Sequence, residues 1–218
     1  MTQTITAALH APDPSTRLRA AMAAGTEPDP LLTDDLIARC GVEDDFFVRD
    51  MLTWALTRLP AQVTVPRLVG ELLSDVPQAR SQALHTLSKI GDRSAWPAVT
   101  DDLLHDADPE VARTAWRAAV VLVPPGEEPA LAAELARELG RDPTDVQRSL
   151  SRALAALDEA SLDALTTARR HREPRVRAHA EATVRILDDP DSDFAYELER
   201  ATRMTNTGGS AQDSSPPC

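Results

Sequence analysis

Small and apolar residues recur along this chain at helical spacing. Six stretches place two such residues four positions apart: Ala20 and Ala24, Met51 and Ala55, Ala83 and Leu87, Ala115 and Ala119, Ser149 and Ala153, Ala180 and Val184. A four-residue step returns to the same face of an α-helix. The pattern predicts one set of helices over about 14–25, 46–59, 77–90, 109–122, 143–157 and 174–187. A second amphipathic set is predicted over about 30–40, 62–74, 94–105, 127–139, 159–171 and 191–203. In that set Val65-Pro66-Arg67-Leu68-Val69 leads to Leu72-Leu73, and Trp96-Pro97-Ala98-Val99 leads to Leu103-Leu104. β-Branched clusters bounded by turn residues are absent, so no strand is expected.

The turns repeat as well. Asp13, Asp44, Asp75 and Asp106 follow one another at 31-residue intervals, and Asp142 and Glu173 continue the series less regularly. Proline follows at Pro14, Pro77, Pro109, Pro143 and Pro174, with Asp45 in the matching place of the second unit. Proline suits the first turn of a helix, where its missing N–H would be unpaired anyway. A cation then sits near each helix start: Arg17, Arg49, Arg80, Arg113, Arg148 and Arg177. A single hairpin cannot bury its apolar face alone, so stacked hairpins are expected to share one core.

This register resembles the HEAT repeat in its short bacterial, phycobilisome-lyase-like form. Val48-Arg49 and Val176-Arg177 match that family's Val-Arg pair, and 78–91 and 110–122 match the rest of its second helix. The resemblance covers about residues 10–204. It departs at Pro124-Pro125-Gly126, which lengthens one loop, and in the first unit, which lacks most of its first helix and reads as an N-cap. The resemblance implies an all-α, right-handed α-solenoid of about six hairpins, with the second helices lining a concave face. Residues 1–204 are expected to form this solenoid and residues 205–218, rich in Ser, Gly and Pro, a disordered tail.

Charge adds a second theme. The net charge is -12, which disfavours nonspecific nucleic-acid binding and suits a cytoplasmic protein. It is not spread evenly. The six second helices carry 13 Arg and Lys against 4 Asp and Glu, whereas the remainder carries 10 against 31. Either these arginines pair with turn acids in a structural ladder, or they make a cationic groove. The concave positions expected to be exposed are Arg49, Asp50, Thr53, Gln82, His85, Lys89, Arg113, Arg117, Arg148, Ser151 and His179. From these, Arg49, Gln82, His85, Lys89, Arg113, Arg117, Arg148 and His179 form the candidate partner-binding set. Trp96 and Trp116 fall at core positions, and Trp54 at a flanking one.

Other chemistry is sparse. Cys40 and Cys218 make no disulfide framework and fit a reducing compartment. No signal-peptide pattern or membrane-length apolar run is seen. Asp101 and His105 are four apart but lack a third ligand, and Asp189, Asp191 and Asp193 lack the glycine and glutamate of a calcium loop. No metal or cofactor is expected, and no phosphate-loop, dinucleotide or nucleophile-elbow motif occurs. The expectation is a non-catalytic protein-binding scaffold or adaptor whose groove takes an acidic or phosphorylated segment, with no membrane partner. The alternatives on the same fold are a HEAT-like DNA glycosylase, for which Asp50 and Trp54 are the faint match, and a bilin-lyase-like subunit.

Overall fold

The computed structural model describes residues 2–189 and 192–208. Among them every regular element is a helix. The chain divides into two compact units, Met1–Leu122 and Val123–Cys218.

The first unit holds α1 (Thr2–Leu9), α2 (Pro14–Thr26), α3 (Thr33–Cys40), α4 (Phe46–Arg58), α5 (Ala61–Glu71), α6 (Pro77–Ile90), α7 (Asp101–Leu104) and α8 (Pro109–Leu122). Successive helices pair as α1 with α2, α3 with α4, α5 with α6 and α7 with α8. The longer members then pack against one another in chain order, α2 on α4, α4 on α6 and α6 on α8. Ahead of α2, where the first repeat was expected to lack most of its first helix, Thr2–Leu9 forms a helix whose Leu9 is fully buried.

The second unit holds α9 (Glu128–Leu135), α10 (Thr144–Ala156), α11 (Leu162–Ala168), α12 (Pro174–Asp188) and α13 (Phe194–Gly208). Here α10 packs on α12, and α12 on both α11 and α13. Helix α13 runs to Gly208, past the expected tail boundary at 204. The remainder of that tail lies outside the described residues.

Helix starts follow the capping rules. Asp13 accepts the N–H groups of Ser15 and Thr16 at 3.4 and 2.9 Å. Asp45 accepts those of Phe47 and Val48, and Asp108 those of Glu110 and Val111. Proline opens α2, α6 and α12. Asp45 and Pro143, however, are caps and not first helical residues. Leu52 and Leu150, at the offset of Trp116, are fully buried as expected, whereas Met51 and Ser149 are only half-buried. Ala20, Ala83, Ala115 and Ala180 are buried as expected.

The partner helices are shorter than the pattern suggests. The helix expected over 94–105 is a 3₁₀ turn, Arg93–Ala98, followed by the four residues of α7. Pro97 lies inside the 3₁₀ turn, and proline cannot donate to a continuing α-helix. Ala95 takes the buried place there and Trp96 is only half-buried. Trp116 is fully buried, with its indole N–H on the Leu104 carbonyl at 2.8 Å. Trp54 is partly exposed and lies over Gly25, where any Cβ would meet its ring at 2.1 Å.

Candidate binding groove

The helix arginines separate into two kinds. Arg17, Arg49 and Arg177 each fold Nη1 back onto two carbonyls of the preceding turn, and Arg80 does so onto one, at 2.7–2.9 Å. Each lies four residues beyond its cap residue, Asp13, Asp45, Val76 or Glu173. Two of them also reach the next turn. Arg17 grips both oxygens of Glu43 at 2.7 Å, and Arg80 grips Asp106 at 2.8 Å, each acid lying 26 residues on. Arg113 and Arg148 fall one residue past the clamp position. Gln147 occupies it in α10 and holds Asp142.

Glu43 was missed as a structural centre, since the acid singled out in that turn was its neighbour Asp44. Glu43 is fully buried and meets Arg17, Arg39 and the Asp45 N–H. Burial alone would raise its carboxyl, but these donors bring it down to about 2. The recoverable signal was the spacing: Glu43 follows Arg17 by the interval that separates Asp106 from Arg80.

In the first unit α4, α6 and α8 bring much of the candidate set together. A groove of about 280 Å³ is lined by Phe46, Arg49, Asp50, Thr53, Ser81, Gln82, His85, Glu110, Thr114 and Arg117. Thr53 is buried in its wall, not exposed as expected. Ser81 and Thr114 share a hydrogen bond at 3.1 Å between α6 and α8, and Arg117 donates to Thr114 at 3.0 Å. Arg113 pairs with Glu110 at 2.7 Å on the rim. His85 is held below its ordinary value, first by burial and then by the positive charges of Lys89 and Arg117, against which Asp50 acts. Burial and Arg113 likewise lower Arg117. The groove thus gathers Arg49, Gln82, His85 and Arg117, with Lys89 beside it. It also contains Asp50 and Glu110, so it is less uniformly cationic than the sequence count suggests. Trp54 is not among its lining residues, so Asp50 has no tryptophan frame there.

The other two candidates lie in the second unit. Arg148 is exposed on α10. His179 is fully buried, and its placement among exposed residues is corrected. It points from α12 into the seam with α10. There Nδ1 accepts the Gly140 N–H at 2.9 Å, and Nε2 lies 3.0 Å from both Ser151 Oγ and the Gln147 carbonyl. Ser151, also buried, bonds Thr183 at 2.7 Å. A serine 3.0 Å from a histidine suggests a nucleophile and its base, but the protonation is wrong. With Nδ1 accepting from an amide, the proton of the neutral ring sits on Nε2, which therefore donates and cannot take a proton from Ser151. Burial pushes His179 down to about 4, against the opposing pull of the Gln147 carbonyl. The pair is structural.

Among the described residues no group of His, Cys, Asp and Glu is arranged to hold a metal ion. No described helix is long and apolar enough to cross a membrane. No protein-family model matches the chain, and no curated protein does. Solved structures do. The crystal structure of an engineered protein aligns with a TM-score of 0.49 at 19% identity, over 95% of this chain and 97% of that one. The complex of CpcE and CpcF of phycocyanin lyase from a Nostoc species aligns with a TM-score of 0.37 at 19% identity, over 94% of each chain.

Proposed function

We propose that this protein is a non-catalytic binding scaffold of HEAT-type hairpins arranged as a right-handed α-solenoid, and that the groove of α4, α6 and α8 takes an acidic segment of a partner protein. One observation carries the reading: α6 and α8 turn Gln82, His85 and Arg117 into a single open groove beside Lys89, walled on its other side by α4. Arg49 is held by two turn carbonyls and Arg113 by Glu110, whereas Arg117 places Nη2 on Thr114 and Nε on the Arg113 carbonyl and keeps Nη1 for a partner, so specificity rests on Arg117, Lys89, His85 and Gln82. These groups offer charge-assisted hydrogen bonds to carboxylate or phosphate oxygens. Asp50 and Glu110 would repel a continuous polyanion, which favours a short segment over a nucleic-acid duplex.

The test is a pulldown that identifies a partner, followed by affinity measurements with Arg117→Gln and with Arg67→Gln as control. Arg67 lies on α5 and pairs with exposed Asp34 outside the groove. Loss of affinity in Arg117→Gln alone, with binding weakened by salt, supports the reading. Equal binding by both variants removes the groove as the docking site.

A further inference from the structure

A cavity of about 630 Å³ in the second unit opens beside α10, the end of α12 and the start of α13. Arg148 and Arg152 stand one helical turn apart and both line it. Both are exposed, and among the described residues neither has a hydrogen-bond or ion-pair partner. Asp158 and Asp193 share the walls but pair with neither arginine. Asp193 accepts the Tyr196 N–H at 2.9 Å at the start of α13. Both guanidinium groups thus keep unmet donors although two carboxylates stand on the same walls.

A further feature points to the kind of occupant. Leu187 and Phe194 make part of the wall apolar, and Phe194 is fixed edge-on against His179 at 5.7 Å.

We propose that this cavity binds an amphiphilic organic anion: a carboxylate, sulfonate or phosphate carried on an apolar body. The arginine forks take the anionic head, and the body lies against Leu187 and Phe194. Inorganic phosphate alone would leave the apolar wall uncovered. A neutral apolar compound would leave both arginines unmet. The proposal is independent of the groove in the first unit.

Fluorescence titration with anilinonaphthalene sulfonate tests it, with N-phenylnaphthylamine as the same aromatic body lacking the anion. Saturable one-to-one binding of the sulfonate is expected. The Arg148→Gln/Arg152→Gln double variant should weaken it about tenfold or more, while binding of the neutral probe changes little. Arg117→Gln, in the other unit, should leave both unchanged. The melting temperature of the double variant should match the parent, because both side chains are exposed and unpartnered. Non-saturable binding, an unchanged affinity in the double variant, or an equal loss in Arg117→Gln would each overturn the proposal.

Discussion

Arg17 and Glu43 form a closed two-point contact, Nε on Oε2 and Nη2 on Oε1, both at 2.7 Å, across two successive turns of the first unit. Arg39 adds a third donor to the same carboxylate at 2.8 Å. Such a cluster fixes the spacing between hairpins because each partner is almost excluded from water. It also makes the cost of removing one partner large, since a buried charge is left uncompensated.

Glu43→Gln should therefore destabilise the first unit by roughly 3–5 kcal/mol, read as a loss in denaturant midpoint. The folded chain holds this carboxyl near 2, below its ordinary 4.5. Its stabilising contribution is thus full above about pH 4.5 and is lost as pH falls through about 2. An unchanged midpoint at neutral pH would mean that the cluster does not bind the hairpins together.

His179 gives an acid sensitivity in a different window. Held near 4 against an ordinary 6.5, it favours the folded state fully above about pH 6.5, and that contribution declines as pH falls towards 4. His179→Leu should lower stability at neutral pH, by stranding the Gly140 N–H, and should flatten the fall between those values. Nitrogen chemical shifts should place the proton on Nε2; a proton on Nδ1 would contradict the Gly140 contact.

Burial separates neighbours on α10, with Leu150 fully buried and Ser149 half-buried. Leu150→Ala should cost about 2–5 kcal/mol, whereas Ser149→Ala should change stability little. Ala83→Arg and Ala115→Arg should each unfold the first unit or lower its melting temperature steeply, by overpacking and by burying an unpaired charge. Equal tolerance at Leu150 and Ser149 would show that Leu150 is not the core residue of the two.

Burial pushes the Cys40 thiol up to about 12, so thiolate is scarce at neutral pH. Mass spectrometry after native alkylation should find Cys40 unmodified, and after denaturation it should find it labelled. Rapid native labelling would mean that α3 opens readily.

The sequence by itself determined the helical class and the bounds of the long helices. The extents expected for α2, α4, α6, α8, α10 and α12 match the structure to within about two residues, because apolar period, proline and cap residues are local signals. Trp116 and the alanines at 20, 83, 115 and 180 were legible for the same reason. Only the tertiary structure decided which polar residues face water. One residue turns a side chain by about 100° around the helix, which leaves Met51 and Ser149 half-buried beside the fully buried Leu52 and Leu150. His179 and Ser151 look like exposed polar residues in sequence, yet they satisfy each other and Gly140 inside the α10–α12 seam. The arginines likewise look equivalent along the chain. Whether one clamps a turn, as Arg49 does, or stands unpartnered beside a cavity, as Arg148 does, depends on carbonyls and carboxylates brought near it only by folding.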